Sequence, residues 1–528
     1  MTKKSSGIPC YTGLCCAALL VCEATNAAPA PLMGKMEPVQ LDSGPRANPK
    51  DSPEVVFAQE LDLGPDVPWV RVLIEKETTL APGSFIRVTS LLDGETQLLD
   101  AEELENWNYG TAFFNGSLVQ VELIAGARTA GNAVHIQEII AADLATQDTA
   151  QPIDEDDDGS GGIASICGAV DTRTLSNDKR VGRLLPGMGR MPGDPPPNDP
   201  APLGWCTSFI VDAQDGRDKL HLTAGHCFDP YNPVNQNLPV DYVLQFNVPA
   251  SNANCTIKHP AVADQFPVRR DTVISRNTSN GNDWAMFKCS PNGLGETTYE
   301  RAGNIAFSLK ANPPGVGMAV PVEIIGYGAD GNAGGAKAGD PRSCRCKGVN
   351  GTQNSVQQKS VGTTMRSADK EVGGVNVVYR TNAPTCGGNS GSPVINQSGQ
   401  VIAIHTGRSM VLCGLCVGGA NGGNLCKSNA DCPGGACAAT PYLCVGGANN
   451  GNVCNSNADC PDGVCNNAAP GKNDGDTATD HPEIQDAIEL EEEKKPVPAI
   501  SAWGVVVMSL LLLTAGKVAF RKSRALAS

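Results

Sequence analysis

Cys386-Gly387-Gly388-Asn389-Ser390-Gly391-Ser392-Pro393 is the stretch from which the rest of the chain can be read. A serine between glycines sits where the backbone can turn sharply, so that the amides of Gly388 and Ser390 can converge on one point. A serine hydroxyl is a poor nucleophile. It needs a base to take its proton, and the base needs a buried carboxylate to fix its tautomer and steady its charge. Upstream, Leu222-Thr-Ala-Gly-His226-Cys227 offers the base and Asn282-Asp283-Trp-Ala the carboxylate. Singly, each string is as readily structural as chemical. Together, in the order His, Asp, Ser, they point to acyl transfer through a covalent intermediate. The candidate catalytic residues are His226, Asp283 and Ser390, with Gly388 and Ser390 as the oxyanion hole.

The strings are set among short alternating apolar runs. Phe209-Ile-Val211 and Leu220-His-Leu222 flank Asp215-Gly216, and Val394-Ile395 and Val401 to Ile404 flank Ser398-Gly399, which reads as strands joined by hairpins. With these motifs, roughly residues 165–413 resemble the chymotrypsin-fold, trypsin-like serine endopeptidases. The resemblance implies two six-stranded antiparallel barrels with the triad in the cleft between them. It also implies disulfides Cys206–Cys227 and Cys386–Cys413, and a further pair Cys255–Cys289. One position departs from the pattern. Trypsin-like zymogens carry an Asp before the nucleophile that pairs with the new N-terminus, whereas Asn389 has no charge for such a pair. Lys179-Arg180-Val181 is a dibasic candidate for processing.

Thr385 and His405, the latter in Ile402-Ala-Ile-His-Thr406-Gly407, resemble the substrate pocket of the glutamyl endopeptidases. There a His and a hydroxyl hold the carboxylate of a Glu side chain, and an imidazolium with a hydroxyl donor suits a planar anion. Pro384 stands where the trypsin resemblance would put an Asp for basic substrates, so a Lys or Arg side chain lacks its counter-charge. No metal or cofactor is called for, and His221, His259 and His481 read as structural or exposed.

Working outward, 528 residues allow two to four domains of ~150 residues each. Charged residues at 18%, aromatics at 5%, 59 glycines and 38 prolines favour a mostly β chain over a helical bundle. Lys+Arg 40 against Asp+Glu 56 gives a net charge of −16, which disfavours nucleic acid as a partner. Twenty-one cysteines favour an oxidising compartment. Lys3 and Lys4, the apolar run Tyr11 to Cys22 and small residues up to Ala28 predict a secretory signal peptide over 1–27. At the other end, an apolar run from Ala499, within a predicted transmembrane helix 499–520, is followed by Lys517, Arg521, Lys522 and Arg524. Val497-Pro-Ala-Ile-Ser-Ala-Trp503-Gly504 with this helix and basic cluster resembles the tripartite sorting signals of bacterial surface proteins, here 497–528. That implies an envelope sorting protease as a partner, and a location at the cell envelope or surface or, after release, outside the cell.

Between the ends, residues 28–52 read as a linker and 53–143 as a small β-sandwich, with Val70, Val72 and Ile74 alternating with polar neighbours and Asp93-Gly94 marking a hairpin. The sandwich is a candidate propeptide or binding module, with a glycan as one ligand class. Residues 144–162 form an acidic linker. Asp154, Asp156, Asp158 and Gly159 mimic the start of a calcium loop, but Ser165 stands where the loop needs Glu. The protease domain is expected over 163–413. Over 416–465 a cysteine-rich unit occurs twice, Cys416/Cys426/Cys432/Cys437 recurring as Cys444/Cys454/Cys460/Cys465, 28 residues on. With almost no apolar core, each copy calls for disulfides. These repeats are expected as an insertion after the last barrel strand. The chain would then return through 466–496, where Ile484, Ala487 and Ile488 share one face of a helix over 482–493. Two functions remain in view: an exported serine endopeptidase acting on protein or peptide substrates, and a catalytically silent surface adhesion protein on the same scaffold.

Overall fold

A computed structural model describes residues 30–32, 34–142, 173–186, 203–213, 218–228, 241–252, 256–279, 281–310, 313–328, 355–381, 383, 385, 388–406 and 476–493, and the short strands between 414 and 466. The expected signal peptide 1–27, the acidic linker, Cys386, Cys413 and the sorting signal with its helix 499–520 lie outside these residues. Among the described residues, no helix is long and apolar enough to cross a membrane.

The N-terminal unit is two four-stranded antiparallel sheets sharing one core. One sheet orders Gly34–Asp42, His135–Ala142, Trp69–Leu73 and Phe114–Asn115; the other orders Glu54–Asp62, Leu118–Ala125, Phe85–Ser90 and Thr96–Leu99. Val70, Val72, Ile86, Val88 and Val121 are fully buried between them. The sandwich begins earlier than expected: part of the predicted linker 28–52 is the edge strand Gly34–Asp42, paired with His135–Ala142. Its alternation is masked in the sequence by Pro38, which an edge strand tolerates and which lies where the register shifts opposite Glu138.

Two barrels follow. In the first, Val181–Pro186, Leu203–Val211, Leu220–Thr223, Tyr242–Gln245, Gln265–Ser279 and Asn282–Cys289 close into a ring of six. Leu184, Ile210, Leu244, Phe266 and Phe287 fill it, each large side chain contributing ~1.5–3 kcal/mol on burial. In the second, Ala319–Gly326, Gln358–Val372, Val375–Thr381, Pro393–Asn396 and Val401–Ile404 are closed by a sixth strand, Asp476–Ala478, which pairs with both Val375–Thr381 and Val401–Ile404. That sixth strand corrects two expectations. The protease domain does not end at 413, and the repeats interrupt the second barrel before its last strand instead of following it. Helix Pro482–Glu493 comes next, with Ile484, Ala487 and Ile488 buried. In each cysteine-rich copy the backbone forms a three-stranded sheet, in which Cys416 pairs with Cys437 and Cys444 with Cys465.

The sandwich docks on the first barrel through a buried polar joint. Arg71 and Asp241 form an ion pair with side chains 0% and 5% exposed. Phe113 exchanges two hydrogen bonds with the Gln265 side chain, at 2.9 and 2.8 Å. The His259 ring stacks on Phe113 at 4.5 Å and meets Trp69 edge-on at 5.2 Å. Burial, reinforced by the guanidinium groups of Arg183 and Arg71, holds His259 neutral to well below its ordinary pKa. His221, His259 and His481 are all buried, so none is an exposed surface histidine.

Candidate active site

His226 lies in a short 3-10 turn, Gly225–Cys227, that follows strand Leu220–Thr223. Gly225 is required there, because a Cβ at this position would lie 1.8 Å from the carbonyl oxygen of Arg276. Asp283 is the second residue of strand Asn282–Cys289 of the same barrel. Its carboxylate holds the histidine twice: Oδ1 accepts from the His226 backbone amide at 2.8 Å, and Oδ2 lies 2.6 Å from Nδ1. Both residues are buried. The carboxylate of an ionised Asp can only accept, so Nδ1 carries the proton and Nε2 keeps its lone pair. Among the described residues Nε2 has no hydrogen-bond partner. The disulfide Cys206–Cys227 ties the histidine turn to strand Leu203–Val211.

Ser390 comes from the second barrel, on the loop before strand Pro393–Asn396. Thr207 fixes that loop from the first barrel. Its amide donates to the Ser390 carbonyl at 2.7 Å, and its hydroxyl donates to the Gly388 carbonyl at 2.8 Å while accepting from the Tyr327 amide at 3.0 Å. Gly388 and Gly391 hold φ of +96° and +86°. A Cβ on Gly391 would meet Thr207 O and Thr223 Oγ1, each at 2.1 Å, and the Ala224 amide nitrogen at 3.0 Å. Thr223 and Ala224 lead directly into the His226 turn. The loop therefore packs Ser390 beside the histidine at the junction of the barrels. The Ser390 hydroxyl is not bonded to Nε2 here, and such contacts are commonly long before substrate binds. Asn389 is buried with its side chain against Gly326, where a Cβ would lie 2.5 Å from its Oδ1.

Thr385 is fully buried on the segment leading to Gly388. The backbone of His405 is paired to the nucleophile loop, its carbonyl accepting from Gly391 at 2.7 Å and its amide donating to Ser392 at 2.8 Å. Its ring Nδ1 lies 2.8 Å from Oδ1 of Asp476, and both side chains are buried. On the next residue, Thr477 Oγ1 donates to the Asp283 carbonyl at 3.0 Å. Asp476, Thr477 and Thr207 were not anticipated. The first two sit in a three-residue polar strand beyond the repeats, and Thr207 carried only its position beside Cys206 as a signal.

The expected Cys255–Cys289 pair is corrected. Cys289 is a free, buried thiol whose pKa burial pushes well above its ordinary value, and Cys255 lies outside the described residues. At the dibasic Lys179-Arg180, Lys179 is exposed in a turn and Arg180 is half-buried. Arg180 is clamped on Asp178 at 2.9 and 2.6 Å and lies 3.6 Å over the Phe307 ring, and Val181 is buried in a strand. His226 groups with Cys206 and Cys227 in a metal-like cluster, but those two sulfurs are joined to each other.

Residues 206–404 match the family model described as trypsin-like peptidase domain. That span includes His226, Asp283 and Ser390, and with the two closed barrels it supports a trypsin-like serine peptidase domain. No curated protein matches the chain. Among solved structures, a Glu endopeptidase is similar at 18% identity over 46% of this chain and 86% of its own, with a TM-score of 0.29. Deg5 is similar at 14% identity over 43% and 80%, with a TM-score of 0.24, and human heparin binding protein at 11% over 45% and 84%, with a TM-score of 0.27. The fold assignment rests on the family match and the two closed barrels.

Proposed function

From the premise of a trypsin-like serine peptidase domain, we propose that the protein is an exported serine endopeptidase that works through an acyl-enzyme on Ser390 and cleaves after glutamate. Ser390 Oγ attacks the scissile carbonyl carbon as His226 Nε2 takes its proton. Asp283 keeps the imidazole in the tautomer that frees Nε2 and steadies the imidazolium that forms. The amides of Gly388 and Ser390 receive the developing oxyanion. Collapse expels the amine, which leaves with the proton from His226, and water then repeats the sequence in reverse to release the acid. The carrying observation is the buried His226–Asp283 pair at 2.6 Å, with Nε2 left unengaged beside the Ser390 loop.

His405 and Thr385 are the proposed acid-binding pocket, and export and surface sorting are proposed from the two termini of the sequence. A fluorophosphonate probe should label Ser390, and labelling should vanish in Ser390→Ala and His226→Ala. Both variants should lose several orders of magnitude in turnover, with the double variant little worse than either. An unlabelled Ser390 in the folded protein overturns the endopeptidase. Peptide-library profiling reads the pocket separately, and preferred cleavage after an aliphatic or basic residue overturns glutamate specificity alone.

A further inference from the structure

A neutral histidine that donates from Nδ1 can only accept at Nε2, and an acceptor repels a substrate carboxylate. With an ionised carboxylate accepting at Nδ1, His405 donates to an acidic side chain only when it carries both protons, and a buried imidazolium needs a counter-charge. Asp476 is the group that can supply it. Its Oδ1 lies 2.8 Å from His405 Nδ1, and Oδ2 has no hydrogen-bond partner among the described residues. Asp476 is thus a buried carboxylate whose pairing runs to one imidazole, and it sits behind the ring, on the Nδ1 side. The His405 backbone is already pinned by Gly391 and Ser392, so the carboxylate restrains the side-chain torsions that remain. Asp476 is the titratable group in contact with His405 among the described residues. Asp283 and His226 lie one residue further on, across Thr477.

We propose that Asp476, delivered by the strand that follows the cysteine-rich repeats, is the positioning residue for acidic specificity. It orients the His405 ring and provides the counter-charge that lets Nε2 donate to a glutamate side chain. The proposal deepens and rests on the glutamyl reading of the pocket. It also makes specificity depend on correct return of the chain after the insertion, because the two members of the pair are 71 residues apart in sequence.

The test compares kcat/KM for matched peptides with Glu, Gln or Leu before the scissile bond, in the full chain. Asp476→Asn should lower the Glu value roughly ten- to a hundredfold, the range for a hydrogen bond to a charged group, and leave the Gln and Leu values within about twofold. His405→Ala/Asp476→Asn should be no worse than His405→Ala. A wild type without Glu preference overturns the glutamyl reading itself. A wild type that prefers Glu, loses it in His405→Ala and keeps its Glu rate in Asp476→Asn overturns the role of Asp476 alone. If Asp476→Asn fails to fold, nitrogen NMR of Ser390→Ala protein labelled at histidine decides. Nδ1 of His405 bonded and protonated together with Nε2 at neutral pH is the expected state, and a ring protonated on Nε2 alone overturns the proposal.

Discussion

Thr477 clamps the backbone of Asp283 across 194 residues of sequence: its hydroxyl donates to the Asp283 carbonyl at 3.0 Å and accepts from the Asp283 amide at 3.3 Å. The hydroxyl thus holds the residue whose carboxylate holds His226. Thr477→Val keeps the shape of the side chain and removes both bonds. It should cost about 1–3 kcal/mol of stability, since two buried polar groups lose their partner, and lower kcat more than it changes KM. Denaturant unfolding and steady-state kinetics check the two together. Ending the chain before Asp476 removes the sixth strand of the second barrel and should leave an unfolded product. Deleting 416–465 and rejoining the ends should leave stability near that of the full chain.

Gly391 and Gly399 separate backbone strain from collision. Both hold positive φ, +86° and +76°. A Cβ on Gly391 would strike Thr207 O and Thr223 Oγ1 at 2.1 Å, whereas nothing lies within 4 Å of one on Gly399. Gly399→Ala should cost about 1–2 kcal/mol, the strain of left-handed backbone alone, with activity retained. Gly391→Ala should cost more and abolish activity, because the nucleophile loop must move off the histidine turn. Thermal melts and probe labelling of Ser390 distinguish the two variants.

Arg71 and Asp241 join the sandwich to the first barrel with almost no exposure. Arg71→Leu removes the guanidinium from a buried carboxylate and should cost about 3–5 kcal/mol. Arg71→Leu/Asp241→Leu should recover much of that loss, because two apolar groups need no pairing. Recovery of the melting temperature in the double variant is the measurement. A sandwich that merely rides on the protease would give no loss in the single variant.

Acid should unfold the protein partly through His221. Burial lowers its pKa from 6.5 to about 3. Its folded site favours the neutral ring, so its contribution is intact above pH 6.5 and is lost as pH falls from 6.5 toward 3. The loss runs at ~1.4 kcal/mol per pH unit across that window. His221→Phe, which can keep the stacking on Phe287 seen at 5.1 Å, should flatten this part of the stability profile. Urea midpoints measured between pH 7 and 4 for the two proteins test it; parallel profiles would assign the acid sensitivity elsewhere.

The proposed catalytic residues stand out because they occur in local strings. His226 beside Cys227, Asp283 before Trp284 and Ser390 in a glycine-rich string carry their proposed roles in their near neighbours, and the alternation of Val401 to Ile404 marks a strand wherever it finally packs. What needed the tertiary structure is what lies far apart in sequence. The strand Asp476–Ala478 is three residues long with a polar start, too short for any periodicity to reveal it. It becomes a strand because the second barrel has two open edges, at Val375–Thr381 and Val401–Ile404, and unpaired backbone groups there are costly. The same holds for Thr207 and Arg71. A threonine in a strand and an arginine in a sandwich are ordinary in sequence, and packing alone places one beneath the nucleophile loop and the other opposite Asp241. Local sequence determined which groups could do the chemistry. The closing of the barrels, driven by backbone pairing and apolar burial, decided which of them meet.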